Sequence, residues 1–277
     1  MRTWVGGRLV DESEAVVSVF DHGLTVGDGV FETVKVVDGV PFALRRHVER
    51  LARSAAGLDL PRPDVDRVRE GCAAVVAQAP AGLHRLRITY TAGVAPLGSG
   101  RGDAEPTLVV AMAPMGRWPD TATVALVPWP RNERGALTGL KTTSYGENVV
   151  ALGHARRLGA GEALFADTQG RLSEGTGSNV FVVVDGRLLT PSLASGCLAG
   201  VTRVLLLEWT DATETDLPAD VLDEADEVFL ASTTRDVQAV SAVAYKDRVR
   251  TIPGAPGPVT REAAAAFAKR SQEDPEP

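Results

Sequence analysis

The sequence predicts an α+β fold in two domains, and three observations carry that reading. Strand-like runs, such as residues 29–37 and 83–91, stand beside runs with apolar residues at helical spacing, such as 44–58. A stretch rich in proline and polar residues, 114–121, reads as a linker between two such mixed regions. A chain of 277 residues is too long for one small domain and comfortable for two. The expected boundaries are a first α+β domain over 1–115, a linker over 116–121, and a second α+β domain over 122–277.

Along the first region, residues 3–10 and 14–20 alternate as short strands, with Gly6-Gly7 as a hairpin turn. Residues 29–37 form a strand closed by the turn signal Asp38-Gly39. Helices follow at 44–58, with Val48, Leu51, Ala52 and Ala55 on one face, and at 64–78; strands return at 83–91 and 106–112. In the second region strands are expected at 122–127, 162–167, 180–184, 187–189 and 227–231. Helices are expected at 148–158, 201–208 and 258–269, with a frayed acidic tail at 272–277. Trp118, Trp129 and Cys72 read as packing residues, and no repeat or low-complexity tract occurs.

Composition narrows the function. Hydrophobic residues make up 44% of the chain and charged residues 23%, which is ordinary globular composition rather than disorder. No apolar run approaches the roughly 20 residues that span a bilayer, and the amino terminus does not read as a signal peptide. A net charge of −7 without a basic patch argues against a nucleic-acid partner. Two distant cysteines, Cys72 and Cys197, fit a reduced cytoplasmic setting, and the four histidines have no metal-ligand spacing, so no metal is expected.

Lysine is scarce: only Lys35, Lys141, Lys246 and Lys269 occur. Lys141 lies among small and apolar residues in Thr138-Gly139-Leu140-Lys141-Thr142-Thr143. A lysine desolvated there has a lowered pKa and a free amine for Schiff-base chemistry; a loop lysine with an exposed ammonium is the other reading. Glu174, in Arg171-Leu172-Ser173-Glu174-Gly175-Thr176-Gly177-Ser178-Asn179, precedes a small-residue loop that lets a flat ligand approach. It is either a partner for a protonated ring nitrogen or a surface carboxylate. Gly200-Val201-Thr202 opens a helix, where free N–H groups form an anion site, and Ser232-Thr233 adds hydroxyls after a strand. Arg50 sits on an amphipathic helix, either solvated or turned inward to hold a phosphate.

In this order, these blocks resemble a known family. Asp21-His22-Gly23-Leu24-Thr25-Val26-Gly27-Asp28-Gly29-Val30-Phe31-Glu32-Thr33, then His47-Val48-Glu49-Arg50-Leu51, is similar to the amino-terminal signature of class IV aminotransferases. Lys141, Ser173 to Phe181, Leu198 to Arg203 and Phe229 to Thr234 continue it, so the resemblance runs from about residue 3 to residue 240. These are the fold type IV enzymes that use pyridoxal 5′-phosphate (PLP): D-amino acid and branched-chain aminotransferases, (R)-amine transaminases and aminodeoxychorismate lyases.

The resemblance implies two α+β domains of the D-amino acid aminotransferase type with PLP at their interface, in a homodimer. It implies that Lys141 carries the cofactor as a Schiff base and shuttles the substrate proton, and that Glu174 pairs with the pyridine nitrogen. Arg50, the loop and helix start at Gly200, Val201 and Thr202, and the Ser232 and Thr233 hydroxyls would hold the phosphate. Leu198 would pack on the ring, and Arg134 would reach the phenolic oxygen.

Phe31 to Lys35 looks like the D-amino acid aminotransferase strand. However, Leu97 and Ser99 stand where those enzymes carry an Arg-x-His carboxylate clamp, leaving Arg101 as the nearest cation there. The expected reaction is amino transfer from an amino acid, a D-amino acid foremost and (R)-amines within range, to a 2-oxo acid. Aminodeoxychorismate lyase and branched-chain aminotransferase activity share the same cofactor residues, and a PLP-binding protein without turnover is the reading from another class.

Overall fold

Nine residues of alternating cross-strand partners, Gly29–Val37 (β3) against Leu83–Thr91 (β5), form the spine of the first of two compact units. The computed structural model describes residues 2–277. The first unit runs through Arg117 and also includes Leu140–Tyr145 and Asp274–Pro277; the second comprises Trp118–Gly139 and Gly146–Glu273.

In the first unit, β1 (Arg2–Val5) and β2 (Arg8–Asp11) form a hairpin through Gly6-Gly7, both at positive φ. With β3, β4 (Val40–Pro41), β5 and β6 (Thr107–Pro114) they make one antiparallel sheet, ordered β2-β1-β6-β5-β3-β4. Asp38 and Gly39 both take positive φ in the β3–β4 turn, the conformation that an Asp-Gly pair adopts at low cost. A short helix α1 (His22–Thr25) precedes β3. Two longer helices, α2 (Leu44–Gly57) and α3 (Val65–Val76), cover the sheet. Asp64 caps α3 by accepting the Asp66 and Arg67 N–H groups. Val48, Leu51, Ala55, Val68 and Cys72 bury against Val30, Val34, Leu86, Ile88 and Val110.

Two expectations fail in this unit. Residues 14–20 form no strand: after a 3-10 turn at Glu12–Glu14 they run as irregular chain, with Val16 74% and Val19 68% exposed. Alternation without a strand partner makes no ladder. The tail does not fray either. Pro275 accepts the Ala43 N–H at 2.7 Å, and Glu276 accepts the Arg45 N–H at 2.6 Å, capping α2 from a distant part of the chain.

The second unit is a nine-stranded mixed sheet. Its strands are β7 (Thr121–Leu126), β8 (Glu162–Ala166), β9 (Leu172–Gly175), β10 (Asn179–Val184), β11 (Arg187–Pro191), β12 (Thr213–Thr215), β13 (Glu227–Ser232), β14 (Asp236–Ala244) and β15 (Val249–Thr251). The order is β12-β11-β10-β13-β14-β7-β8-β9, with β15 on β14, and β7 runs parallel to both β14 and β8. The pair Asn179–Glu174 joins β9 back to β10, so six of these strands return on themselves. Helices α4 (Gly146–Arg157), α5 (Val201–Trp209), α6 (Val221–Glu224) and α7 (Pro258–Glu273) complete the unit. Its core gathers Val124, Leu164, Leu172, Val180, Val182, Val228, Leu230, Val240 and Val243.

The nine-residue strand β14 is absent from the sequence reading, as are β9 and β12. Polar Gln238 and Ser241 break the apolar run of β14, and only the neighbours β13 and β7 give it a ladder. Trp118 and Trp129 are 39% and 44% exposed rather than core residues; Trp118 lies under the Arg235 guanidinium at 3.7 Å.

Candidate functional site

The Lys141 segment is a correction to the domain reading, which assigned it to the second domain. Leu140–Tyr145 packs as part of the first unit, although the chain on either side belongs to the second. The cause is a short backbone ladder. Phe31 donates its N–H to the Lys141 carbonyl at 3.0 Å, Thr142 bridges Val30, and Thr143 donates to the Gly29 carbonyl at 2.8 Å. Lys141 itself donates its N–H to Ser54 Oγ on α2 at 3.1 Å. Gly29 has to be small here, because a Cβ would meet Thr91 at 2.9 Å.

This backbone grip aims the lysine. Its Nζ lies 4.4 Å from the centre of the Phe31 ring and 5.9 Å from that of Tyr145, whose rings meet edge-on at 5.1 Å. On the other strand of the ladder, the Arg87 guanidinium stacks 3.3 Å from the Phe31 ring centre. Burial pushes the pKa of Arg87 down to about 10, although the Tyr145 and Glu32 charges oppose the shift. No carboxylate lies within ion-pair distance of Arg87 among the described residues.

Beside them is a buried charge cluster. Glu32, on β3, accepts Arg50 Nε and Nη2 at 2.7 Å each and His47 Nδ1 at 2.7 Å. Burial pushes the Glu32 carboxyl up, but the Arg50 charge and the bonds from Arg50 and His47 outweigh it and hold Glu32 well below the carboxylate range. Burial lowers the His47 pKa; its bond and charge contact with Glu32 pull upward but do not cancel that effect. Arg50 is thus turned inward, 6% exposed, onto Glu32. Its visible bonds go to Glu32. Lys35 is also buried, with Nζ 5.2 Å over Phe42.

Arg101 is committed elsewhere. It grips both Asp28 oxygens at 2.7 Å and donates to the carbonyls of Leu58 and Asp59 at 2.6 Å, so its fork fastens the glycine-rich loop rather than waiting for a substrate.

In the second unit, Glu174 lies near the end of β9, paired with Asn179. Its Oε2 accepts the Leu198 N–H at 3.0 Å, and Asn179 Nδ2 donates to the Leu198 carbonyl at 2.9 Å. Leu198 is therefore held at both backbone groups, its side chain half-buried. A Cβ on Gly200 would sit 2.0 Å from Asn179 Oδ1, which is why the loop needs glycine there. α5 begins directly after it with no side-chain cap, leaving the first N–H groups of the helix to a ligand or to solvent. Val201 and Thr202 are buried in that first turn, and Ser232 and Thr233 stand half-buried where β13 turns into β14.

The arginine beside Glu174 is Arg131. Arg131 Nε lies 3.6 Å from Glu174 Oε1, whereas the Arg134 side chain is 81% exposed and pairs with Glu133. Sequence reasoning passed over Arg131, Asn148, Tyr145 and Arg87. None of them carried a local signal: Arg87 shares β5 with His84, Arg85, Thr89 and Thr91, so a charge there does not stand out.

In the second unit, an uncapped helix start approached through an obligatory glycine and a carboxylate beside a clamped leucine fit the phosphate and ring nitrogen of PLP; in the first, a lysine held against aromatic rings fits its Schiff-base chemistry. Together with the fold they define a PLP-dependent enzyme. The sequence profile described as amino-transferase class IV matches residues 29–243, and the chain belongs to that family. It is 34% identical over 254 residues to a putative branched-chain-amino-acid aminotransferase of Methanocaldococcus jannaschii, covering 87% of each chain. It is 30% identical over 293 residues to a D-alanine aminotransferase of Staphylococcus haemolyticus, covering 97% of each. The fold matches a hypothetical aminotransferase from Mycobacterium tuberculosis, in a form with alpha-ketoglutarate and PMP bound, at a TM-score of 0.83. That match has 27% identity and covers 97% of this chain and 98% of the other.

Proposed function

We propose that this aminotransferase moves the amino group of a D-amino acid such as D-alanine to a 2-oxo acid, with Lys141 as its catalytic residue. The observation that carries the catalytic assignment is the backbone grip of β3 on Lys141, which holds the amine against Phe31 and Tyr145. Of the other lysines, Lys35 lies over Phe42, and Lys246 and Lys269 are exposed.

PLP, when bound, supplies an electron sink for the substrate Cα. Lys141 would hold the cofactor, and its amine, when free, would carry the proton between the substrate Cα and the cofactor's reacting carbon. Glu174 would accept a hydrogen bond from the protonated ring nitrogen and so keep the ring positive. The N–H groups at Val201 and Thr202, the loop at Gly200 and the hydroxyls of Ser232 and Thr233 bind the phosphate, with Arg50 adding positive charge and Leu198 packing on the ring.

Arg87 supports a carboxylate-bearing substrate: a half-buried guanidinium without an acidic partner is a place for a carboxylate. That favours amino acids and 2-oxo acids over simple amines, and the M. tuberculosis neighbour with alpha-ketoglutarate bound points the same way. The D-amino acid reading draws on the Phe31 to Lys35 pattern and on the D-alanine aminotransferase relative. A branched-chain L-amino acid donor is the second reading, favoured by the M. jannaschii relative.

A second copy of the chain is the proposed partner. Val16, Val19, Phe20, Leu24 and Leu97 are large apolar side chains left exposed in one unit, as an interface requires. Two buried free thiols fit a reducing, cytoplasmic setting.

The test is to incubate the PLP-loaded protein with 2-oxoglutarate and either D-alanine or L-leucine, and to follow the new oxo acid and glutamate by chromatography. Pyruvate from D-alanine with little turnover of L-leucine is the expected result. The reverse preference establishes the branched-chain reading. Silence with both, together with 4-aminobenzoate release from aminodeoxychorismate, would replace transfer by the lyase reaction.

A further inference from the structure

Arg131 leaves one buried donor unused. Its backbone N–H is pinned to the Ala166 carbonyl at 2.7 Å, at the end of β8. Its guanidinium stacks 4.2 Å from the Phe165 ring centre, and Nη2 donates to Asn148 Oδ1 at 3.0 Å. Asn148 is itself fixed, donating to the Thr176 carbonyl at 2.8 Å in the loop that follows Glu174. Glu147 lies 3.7 Å from Nη1, but its side chain is 80% exposed, so that contact is weak. Nε is buried without a hydrogen-bond partner and lies 3.6 Å from Glu174 Oε1, while Oε2 is taken by Leu198. Burying a cationic donor costs free energy unless something gains from its charge. The Cys197 thiol, which also feels the Glu174 charge, is pushed up to about 11, mainly by burial, and so stays neutral.

We infer that Arg131 is a positioning residue for Glu174, keeping its carboxylate ionised so that the proton it shares with the ring nitrogen of PLP resides on the nitrogen. This rests on the reading that Glu174 pairs with that nitrogen. A proton between a carboxylate and a ring nitrogen has two places to sit, and the total charge is the same in both. A fixed positive charge on the carboxylate side favours the state with the negative charge there, and so the protonated ring. An opposite charge at this distance shifts a carboxylate by about one pKa unit or more, which is about a tenfold change in the ratio of the two states. Asn148 and Phe165 hold the guanidinium, so the bias is built in before substrate arrives.

The experiment is nitrogen NMR of enzyme loaded with PLP isotopically labelled at the ring nitrogen, at neutral pH, for wild type, Glu174→Gln, Arg131→Gln and Arg131→Lys. The expected result is a wild-type shift at the protonated position, displaced fully in Glu174→Gln and partly in Arg131→Gln. Arg131→Lys restores most of the shift, because the charge is kept. Should Arg131→Gln fail to fold, Asn148→Ala, which only loosens the guanidinium, is expected to give a smaller displacement of the same sign. An unmoved shift in folded Arg131→Gln, or in Asn148→Ala where Arg131→Gln does not fold, with Glu174→Gln displaced, overturns the role of Arg131 alone. An unmoved shift in Glu174→Gln overturns the Glu174 reading and this inference with it.

Discussion

Arg50 and Glu32 meet through two parallel hydrogen bonds of 2.7 Å, and both side chains are almost wholly buried. The pair ties α2 to β3, and β3 is the strand that grips Lys141. A charge pair this far from water is held by its own geometry, and removing one member strands the other.

Glu32→Gln is therefore expected to cost about 3–5 kcal/mol of stability, read from urea midpoints. A loss well under about 1 kcal/mol, the worth of an exposed ion pair, would mean that the cluster is more hydrated than it looks.

The same cluster sets a pH dependence. Glu32 and His47 are both depressed in the folded state, so the unfolded chain binds more protons on acidification, and stability falls. The His47 contribution is present above the unfolded value of about 6.5 and is lost below it. The Glu32 contribution is lost as pH falls below about 4.3. Urea midpoints measured against pH should decline in that order, and the upper step should vanish in His47→Gln.

Borohydride reduction of the PLP-loaded protein, followed by peptide mapping, should place the cofactor on the peptide that carries Lys141. Lys141→Ala should keep its fold and lose activity by at least about 10²-fold, the scale of a missing acid–base group. Label on Lys35 would move the catalytic assignment to that residue.

Arg87→Gln and Arg101→Met separate the two candidate substrate cations. The first should raise KM for the oxo acid by about tenfold or more, the scale of one charge-assisted pair. The second should leave KM unchanged and lower thermal stability, since Arg101 holds Asp28 and the carbonyls of Leu58 and Asp59. An unchanged KM in Arg87→Gln would free that arginine of any substrate role.

Gly200→Ala should weaken PLP binding to the apo protein and cost about 1–3 kcal/mol, because its Cβ would fall 2.0 Å from Asn179 Oδ1. Equilibrium dialysis against PLP reads the first effect and thermal melting the second.

By itself the sequence determined the class of the protein. The blocks around Glu32, Arg50, Lys141, Glu174, Gly200 and Ser232 stand in chain order, and local rules located β3, β5, α2 and α5, whose apolar spacing and turn residues are short-range properties. Tertiary structure decided everything that depends on a distant partner. Residues 14–20 alternate but find no neighbour strand, whereas β14 breaks its apolar run and is a strand because β13 and β7 flank it. Lys141 follows the backbone of β3 rather than its chain neighbours, and Arg131 reaches Glu174 because Ala166 and Asn148 hold it there. Hydrogen bonds and buried charges are settled between residues far apart in sequence, and a linear reading of spacing carries no term for them.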